Sequence, residues 1–392
     1  MKSKKVIARD QDYVLGTYGR APLVIEEGLG MVAQSPEGQD YLDFTSGIGV
    51  NCLGFCDPDW SFAVAEQAGK LQHISNLYYT NPCTKLAKKL CTRTGMSKVF
   101  FGNSGAEANE GALKAARKYS FDKYGAGRNK IISLENSFHG RTMATLTATG
   151  QDSFHNFFGP FNQGFAYAPA NDFEAFKKKA AKNVCAVIIE LVQGEGGVCA
   201  LDKDYVAQLA EYCHQKDILI IVDEVQTGIG RTGTFLACEQ YGLQPDILSL
   251  AKGLGGGLPI GAFLVSEAVA PAMGAGTHGS TYGANPICCA GANVVMDKLD
   301  DDFLENVQRM SVILRAQVAK LPHVKEVSGL GLMVGIEFEE GIAAGEILAK
   351  CREHGLLVLT AKTRLRLLPP LIVSEAEIDT AIAILQDILS AI

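Results

Sequence analysis

A lysine and an aspartate carry the first chemical argument in this sequence. Asp223 follows the apolar run Ile218 to Val222, and Lys252 follows a second run, Ile247 to Leu250, just before the glycine-rich stretch Gly253 to Gly257. Short β-branched runs of this kind read as strands buried on both faces of a parallel sheet. In such sheets ligands collect beyond the carboxyl ends of the strands, so both side chains should face one crevice. A lysine amine placed there can form a Schiff base with an aldehyde, and a carboxylate can keep a ring nitrogen protonated so that the ring accepts electrons. That pairing suits a pyridoxal 5′-phosphate site. A plain ion pair at strand ends would use the same two residues, and the rest of the chain has to decide between the readings.

Further residues point toward the same crevice. The stretch Gly102 to Asn109, GNSGAEAN, stands between a brief strand at 99–101 and an amphipathic helix. Its small residues let the backbone N–H groups of Ser104, Gly105 and Ala106 approach an anion at the helix N-terminus, as for a cofactor phosphate, although a capping turn has the same composition. No Gly-Lys-Ser/Thr follows, so it is not a P-loop. Phe138, His139, Gly140 and Arg141 follow a strand at 130–134 and offer a flat ring and a guanidinium, with His139 read as packing. Glu190 ends another apolar strand and leads to Gln193, Gly194 and Glu195, while Glu224 and Gln226 hold the corresponding place one strand over. These polar groups can position a ring hydroxyl and a substrate, or cap loops. Arg366, in LRLLPPL, suits carboxylate recognition or a structural ion pair. The letters of Gly228 to Gly233 match the dinucleotide fingerprint, but they begin well past the end of the strand and lack the acidic residue that should follow, so they read as a loop near the cofactor.

The positioning elements follow from hydrophobic spacing. After short strands and turns up to about residue 55, helices are expected at 58–73, 81–93, 104–124 and 203–216, alternating with strands at 99–101, 130–134, 184–190, 218–223, 246–250 and 261–265. Such alternation implies an α/β fold with a mostly parallel central sheet. Beyond Asn285 the spacing changes to helices at 286–300 and 302–320, strands at 324–328 and 333–338, a helix at 344–354, strands at 356–359 and 364–368, and a last helix whose Ser374 and Glu377 fit a capping box. The expected division is an N-terminal arm, 1–55, a large domain, 56–285, and a C-terminal small domain, 286–392, with arm and C-terminal segment forming a smaller α+β domain.

Composition narrows the classes. A chain of 392 residues with 47% hydrophobic and 20% charged residues buries a sizeable core, and its net charge of −7 argues against a nucleic-acid partner. The lysines at 177–179 and 182 read as a solvated helix face. The 11 cysteines contain no C-x-x-C pair, so no metal site is expected, and their apolar surroundings suit a reducing compartment. No apolar stretch has the length of a membrane span, and the start of the chain lacks a signal-peptide core.

The motifs FGNSGAEANE, NLYYT, ENSFHGRT, TATGQ, VQGEGG, DEVQTGIGRTG, LAKGLGGGLPIGA, HGSTYGANP and LRLLPPL together resemble the class III aminotransferases of the fold-type I pyridoxal-phosphate enzymes, over nearly the whole chain. The resemblance implies that Lys252 carries the cofactor and shuttles protons, that Asp223 pairs with the ring nitrogen, that Gln226 contacts the ring hydroxyl and that Phe138 stacks on the ring. It implies that Ser104, Gly105 and Ala106 hold the phosphate, helped by Thr281 from the second subunit of a homodimer, with Ser280 near the substrate. Arg141 resembles the arginine that receives a distal carboxylate, Arg366 the one that binds the α-carboxylate of glutamate, and Glu195 the residue that masks Arg366 for the other substrate. The implied activity is a cytoplasmic, ping-pong transfer of an amino group through pyridoxamine phosphate, from the δ-carbon of N-acetylornithine to 2-oxoglutarate. Succinylornithine, succinyl-diaminopimelate, ornithine and 4-aminobutyrate are the alternative donors, and a cofactor-binding protein without turnover is the alternative from another class. The chain departs from the family's pattern at Leu191, where proline is usual, and at Phe55 and Asp57, where histidines are frequent. Ile48 stands where ornithine aminotransferases carry an aromatic residue, which argues against unacylated ornithine.

Overall fold

A computed structural model describes residues 2–392. The sheet that carries the site has seven strands in the order Lys98–Gly102, Gly261–Val265, Ile247–Leu250, Leu219–Asp223, Val184–Ile189, Lys130–Leu134 and Phe165–Ala168. The last five are mutually parallel, and Gly261–Val265 runs antiparallel to both of its neighbours. Register places Asp223 opposite Ser249 and Val222 opposite Ile189, so Asp223, Glu190 and the segment after Leu250 emerge at one edge.

Every residue of Val184–Ile189 and Leu219–Asp223 is buried, as their β-branched runs require. Successive side chains alternate between two cores: Val187, Ile189, Ile220 and Val222 join one, and Ile188, Leu219, Ile221 and Ile247 the other. The long helix Gly105–Tyr124 lies on the second face with a small-residue stripe, Ala108, Gly111, Ala112 and Ala115. A Cβ at Gly111 would stand 2.2 Å from the Phe263 ring, so this helix approaches the sheet as closely as a backbone can.

The arm strands Glu27–Leu29, Val32–Gln34 and Asp40–Asp43 form an antiparallel ladder that Leu356–Leu357 completes in parallel with Asp40–Asp43. A second antiparallel sheet joins Val324–Leu330, Met333–Phe338, Arg364–Leu367 and Leu359–Ala361. Ser374 caps the last helix, Glu375–Ser390, through the expected box with Glu377. Several elements depart from expectation, among them the strand expected at 356–359, which divides into Leu356–Leu357 and Leu359–Ala361 in different sheets. Lys2–Tyr13 is a helix, invisible to hydrophobic spacing because none of its residues is buried. Phe165–Ala168 is a short edge strand in which only Ala168 is fully buried, too brief to alternate legibly. No helix among the described residues is long and apolar enough to cross a membrane.

Candidate active site

Many of the residues picked out by type and spacing, Lys252, Asp223, Gln226, Arg141 and Ser104 to Ala106 among them, line one cavity of about 450 Å³ at the carboxyl edge of the parallel strands, while Glu195 and Arg366 are not part of its lining. Asp223 is the last residue of its strand and is buried. Its Oδ2 accepts from Asn109 Nδ2 at 2.7 Å and lies 2.8 Å from His139 Nδ1, while Oδ1 accepts from the Val225 N–H at 3.0 Å. Three segments therefore fix one carboxylate. His139, read from the sequence as packing, is thus a direct partner of Asp223, and Asn109 binds its carbonyl at 2.8 Å as well as the aspartate. Neither contact has a local sequence signal, since each joins residues far apart in the chain.

Glu190 is buried beside this group and accepts from the Phe138 N–H at 2.8 Å. Burial pushes its carboxyl up to about 7, with His139 opposing and Asp223 reinforcing the rise. Lys252 begins a short helical turn with φ at +43°, a left-handed backbone that costs roughly 1–3 kcal/mol for a residue with a side chain. Such strain persists where the surrounding structure over-determines the backbone, and here Lys252 lines the cavity. Burial holds that amine below its ordinary value against the opposing pull of Glu195. Among the described residues, Asp223 and Lys252 form no ion pair with each other, so the plain strand-end salt bridge is not what these residues make.

The N-terminus of a long helix also lines the cavity. Ser104 caps the helix Gly105–Tyr124, its Oγ accepting from the Glu107 N–H at 3.2 Å, and Ser104, Gly105 and Ala106 all line the cavity. The first N–H groups of a helix have no intrahelical acceptor and favour an anion. A Cβ on Gly105 would meet Val225 Cγ1 at 2.7 Å, and one on Gly261 would meet the Ser104 carbonyl at 2.1 Å, so glycine sets how tightly this cradle closes.

A buried ion pair stands behind Gln226. Arg366 Nη1 donates to Glu195 Oε1 at 2.6 Å, to Gln226 Oε1 at 3.2 Å and to the Gly194 carbonyl at 3.3 Å. The Arg366 side chain is 3% exposed and that of Glu195 is 28% exposed, so the carboxylate covers the guanidinium from the solvent side. Burial raises Glu195, but Arg366 more than offsets this and holds its carboxyl below the ordinary range. Arg141 lines the cavity from the other side, with its guanidinium over Phe154 and Phe138.

Two sequence candidates lie elsewhere. Thr281 is exposed and outside this cavity, and Ser280 uses its Oγ to accept from Asn103 Nδ2 at 3.2 Å and from the Gly283 N–H at 3.0 Å. The loop Gly228 to Gly233 packs under the Lys252 turn, where Ile229 touches Gly253. Its Arg231 is buried and donates to the carbonyls of Leu332 at 3.0 Å and Pro369 at 2.5 Å. The loop is a structural tie rather than a dinucleotide site. Val50, Leu258, Pro259 and Ile260 add an apolar wall that sequence reading left unassigned.

A helix N-terminus, a fixed carboxylate and a buried amine lining one cavity fit a planar pyridine bearing a phosphate and an aldehyde. Comparison with known proteins agrees. The family model described as "Aminotransferase class-III" matches residues 15–389. Acetylornithine aminotransferase of Haemophilus ducreyi is 54% identical over 391 residues, covering 100% of both chains. The enzyme of the same name from Caldanaerobacter subterraneus is 47% identical over 99% of this chain and 100% of its own. Among solved structures, N-acetylornithine aminotransferase from Stenotrophomonas maltophilia matches with a TM-score of 0.85 at 35% identity, covering 98% of each chain. Ornithine aminotransferase from Toxoplasma gondii, described with PLP at its active site, matches with a TM-score of 0.95 at 32% identity over 99% of this chain and 94% of that one.

Proposed function

We propose, since the chain belongs to the class-III aminotransferases, that it transfers the δ-amino group of N-acetylornithine to 2-oxoglutarate, yielding N-acetylglutamate 5-semialdehyde and glutamate, with pyridoxal 5′-phosphate as cofactor. The observation that carries this reading is the pair of guanidiniums near Lys252: Arg366 covered by Glu195, and Arg141 without a carboxylate partner among the described residues. One site has to take an ω-amine in one half-reaction and an α-amine in the other. An arginine whose carboxylate partner is partly exposed can be covered for the first substrate and uncovered for the second.

The bound cofactor supplies an aldehyde that takes up the amino group and a ring that accepts the electron pair left when a proton departs the substrate carbon. In this reading Lys252 holds the cofactor carbon and then moves that proton, which requires the free base that burial favours. Asp223, oriented by Asn109, His139 and the Val225 N–H, keeps the ring nitrogen protonated. Ser104, Gly105 and Ala106 hold the phosphate at the helix N-terminus, Phe138 covers one ring face, and Gln226 meets the ring hydroxyl. Arg141 takes the carboxylate farthest from the reacting amine, and Arg366 takes the α-carboxylate of glutamate once Glu195 moves aside. The apolar wall of Val50, Leu258 and Ile260 suits an uncharged acyl group better than a succinyl chain, whose extra carboxylate would need another cation.

The working unit in this reading is a homodimer, with Thr281 and Ser280 serving the neighbouring subunit's site. Supporting this, Thr281 lies outside its own chain's cavity, and the adjoining surface carries Leu77 at 86% and Tyr79 at 100% exposure. We place the domain limits at residues 55 and 285, supported by the sheet that the arm shares with Leu356–Leu357. A cytoplasmic location is supported by cysteines that are all unpaired.

Single-turnover absorbance tests the assignment. The cofactor band of the loaded protein should convert fastest with N-acetylornithine, and more slowly with N-succinylornithine, ornithine and 4-aminobutyrate. A faster reaction with another donor overturns the substrate, and no band at all overturns the cofactor. Lys252→Ala should lose the link that borohydride fixes and slow turnover by a factor on the order of 10²–10⁴.

A further inference from the structure

Arg141 lines the cavity, yet among the described residues it makes no hydrogen bond or ion pair. What holds it is aromatic. Its guanidinium carbon lies 4.3 Å from the centroid of Phe154 and 5.4 Å from that of Phe138, and the two rings meet edge to face at 5.5 Å and 67°. The carboxylate of Glu110 turns to the segment that follows Arg141: its Oε1 accepts from Thr142 Oγ1 at 2.6 Å and from the N–H groups of Ala144 at 3.1 Å and Thr145 at 3.3 Å.

Phe154 is itself well anchored. It closes the short helical turn Asp152–Phe154, and the next residue, His155, sets its Nε2 2.9 Å from the Leu146 carbonyl with its ring 5.1 Å from Phe161 and 5.9 Å from Tyr167. A guanidinium stacked on a ring has its face satisfied while its in-plane N–H groups stay free. An exposed arginine without such a shelf samples many rotamers and loses that freedom when it binds.

We propose that Phe154 is a positioning residue for specificity: it holds the Arg141 guanidinium stacked, with its N–H edge free for a substrate carboxylate, and so sets the preference for donors that carry a carboxylate remote from the reacting amine. The inference rests on the reading of Arg141 given above.

The test compares two amino donors, N-acetylornithine and its decarboxylated counterpart N-acetyl-1,4-diaminobutane, in single turnovers of the cofactor-loaded enzyme. Phe154→Leu should lower the preference for the carboxylate-bearing donor by roughly 3- to 30-fold, the range that loss of one cation–π contact allows, through substrate affinity and not the limiting rate. The dissociation constant of the unreactive dicarboxylate glutarate, measured by calorimetry, should rise by a similar factor. Phe154→Tyr should restore both, and Phe154→Met serves as the unstacked variant should the leucine form fail to fold. Arg141→Gln is the benchmark. If it abolishes the preference while Phe154→Leu and Phe154→Met leave preference and glutarate binding intact, the inference fails and the reading of Arg141 stands. If Arg141→Gln itself leaves the preference unchanged, both fall together.

Discussion

At the scale of single residues, Glu190 makes the sharpest statement. Its carboxyl is pushed from 4.5 up to about 7 by burial, so between those values the folded chain holds a proton that the unfolded chain has released. The folded state then binds more protons than the unfolded one, and stability must fall as pH rises through that window, by about 3 kcal/mol at most. Glu190→Gln keeps an oxygen for the Phe138 N–H and removes the titration. Urea midpoints of the cofactor-free protein at pH 5 and pH 7.5 should drop further for the parent than for the variant. An equal drop in both would mean that Glu190 is ionised throughout and shares its charge with His139. The sequence placed Glu190 at a strand end but had no means of showing that His139 and Asp223 crowd it, because burial and long-range contact are properties of the packed state.

At the scale of elements, legibility follows periodicity. Strands such as Leu219–Asp223 are continuous apolar runs buried on both faces, and the capped helix Glu375–Ser390 announces itself through Ser374 and Glu377. Lys252, Asp223 and the segment Ser104 to Ala106, which line one cavity, were therefore singled out from elements that are themselves easy to read. Asn109 was not, since its position one turn into a helix does not say which strand end it meets. Arg231 was read only as part of a glycine loop, because the carbonyls it binds lie more than a hundred residues away. Gly261 tests how tightly elements set the cradle. A Cβ there would stand 2.1 Å from the Ser104 carbonyl, a backbone atom that yields only if the strand or the helix start moves. Gly261→Ala should weaken cofactor binding by about tenfold or more and lower the melting temperature, as overpacking by roughly 1–3 kcal/mol implies. Gly345→Ala is the control, with nothing near its Cβ and a helical position where alanine is favoured by about 1 kcal/mol. Equal cofactor affinity in the two variants would show that the cradle tolerates displacement.

At the scale of the whole molecule, Thr281 is exposed and lies outside the cavity of its own chain, and the surface around it bears on the proposed homodimer. Leu77, Tyr78, Tyr79 and Tyr282 are exposed side by side with Thr281, because Asn76 Nδ2 donates to the Gly283 carbonyl at 2.8 Å and ties the two segments together. A patch of large apolar groups around a functional loop is expected to be covered by another protein surface, and in the proposed homodimer a second copy would cover it while delivering Thr281 across the interface. Lys252→Ala and Thr281→Val then remove different parts of one shared site. A chain carrying only the first change cannot form the reducible link, and a chain carrying only the second should bind cofactor less tightly. In a mixed dimer, however, one of the two sites joins the intact Lys252 of one chain to the intact Thr281 of the other. Unfolding and refolding equal amounts of the two variants together, which makes about half of the dimers mixed, should therefore recover roughly a quarter of the sites as tight, borohydride-reducible and active, whereas each variant refolded alone should not. If Thr281 served the cavity of its own chain, mixing would restore nothing, and the second copy would be a neighbour without a part in the chemistry.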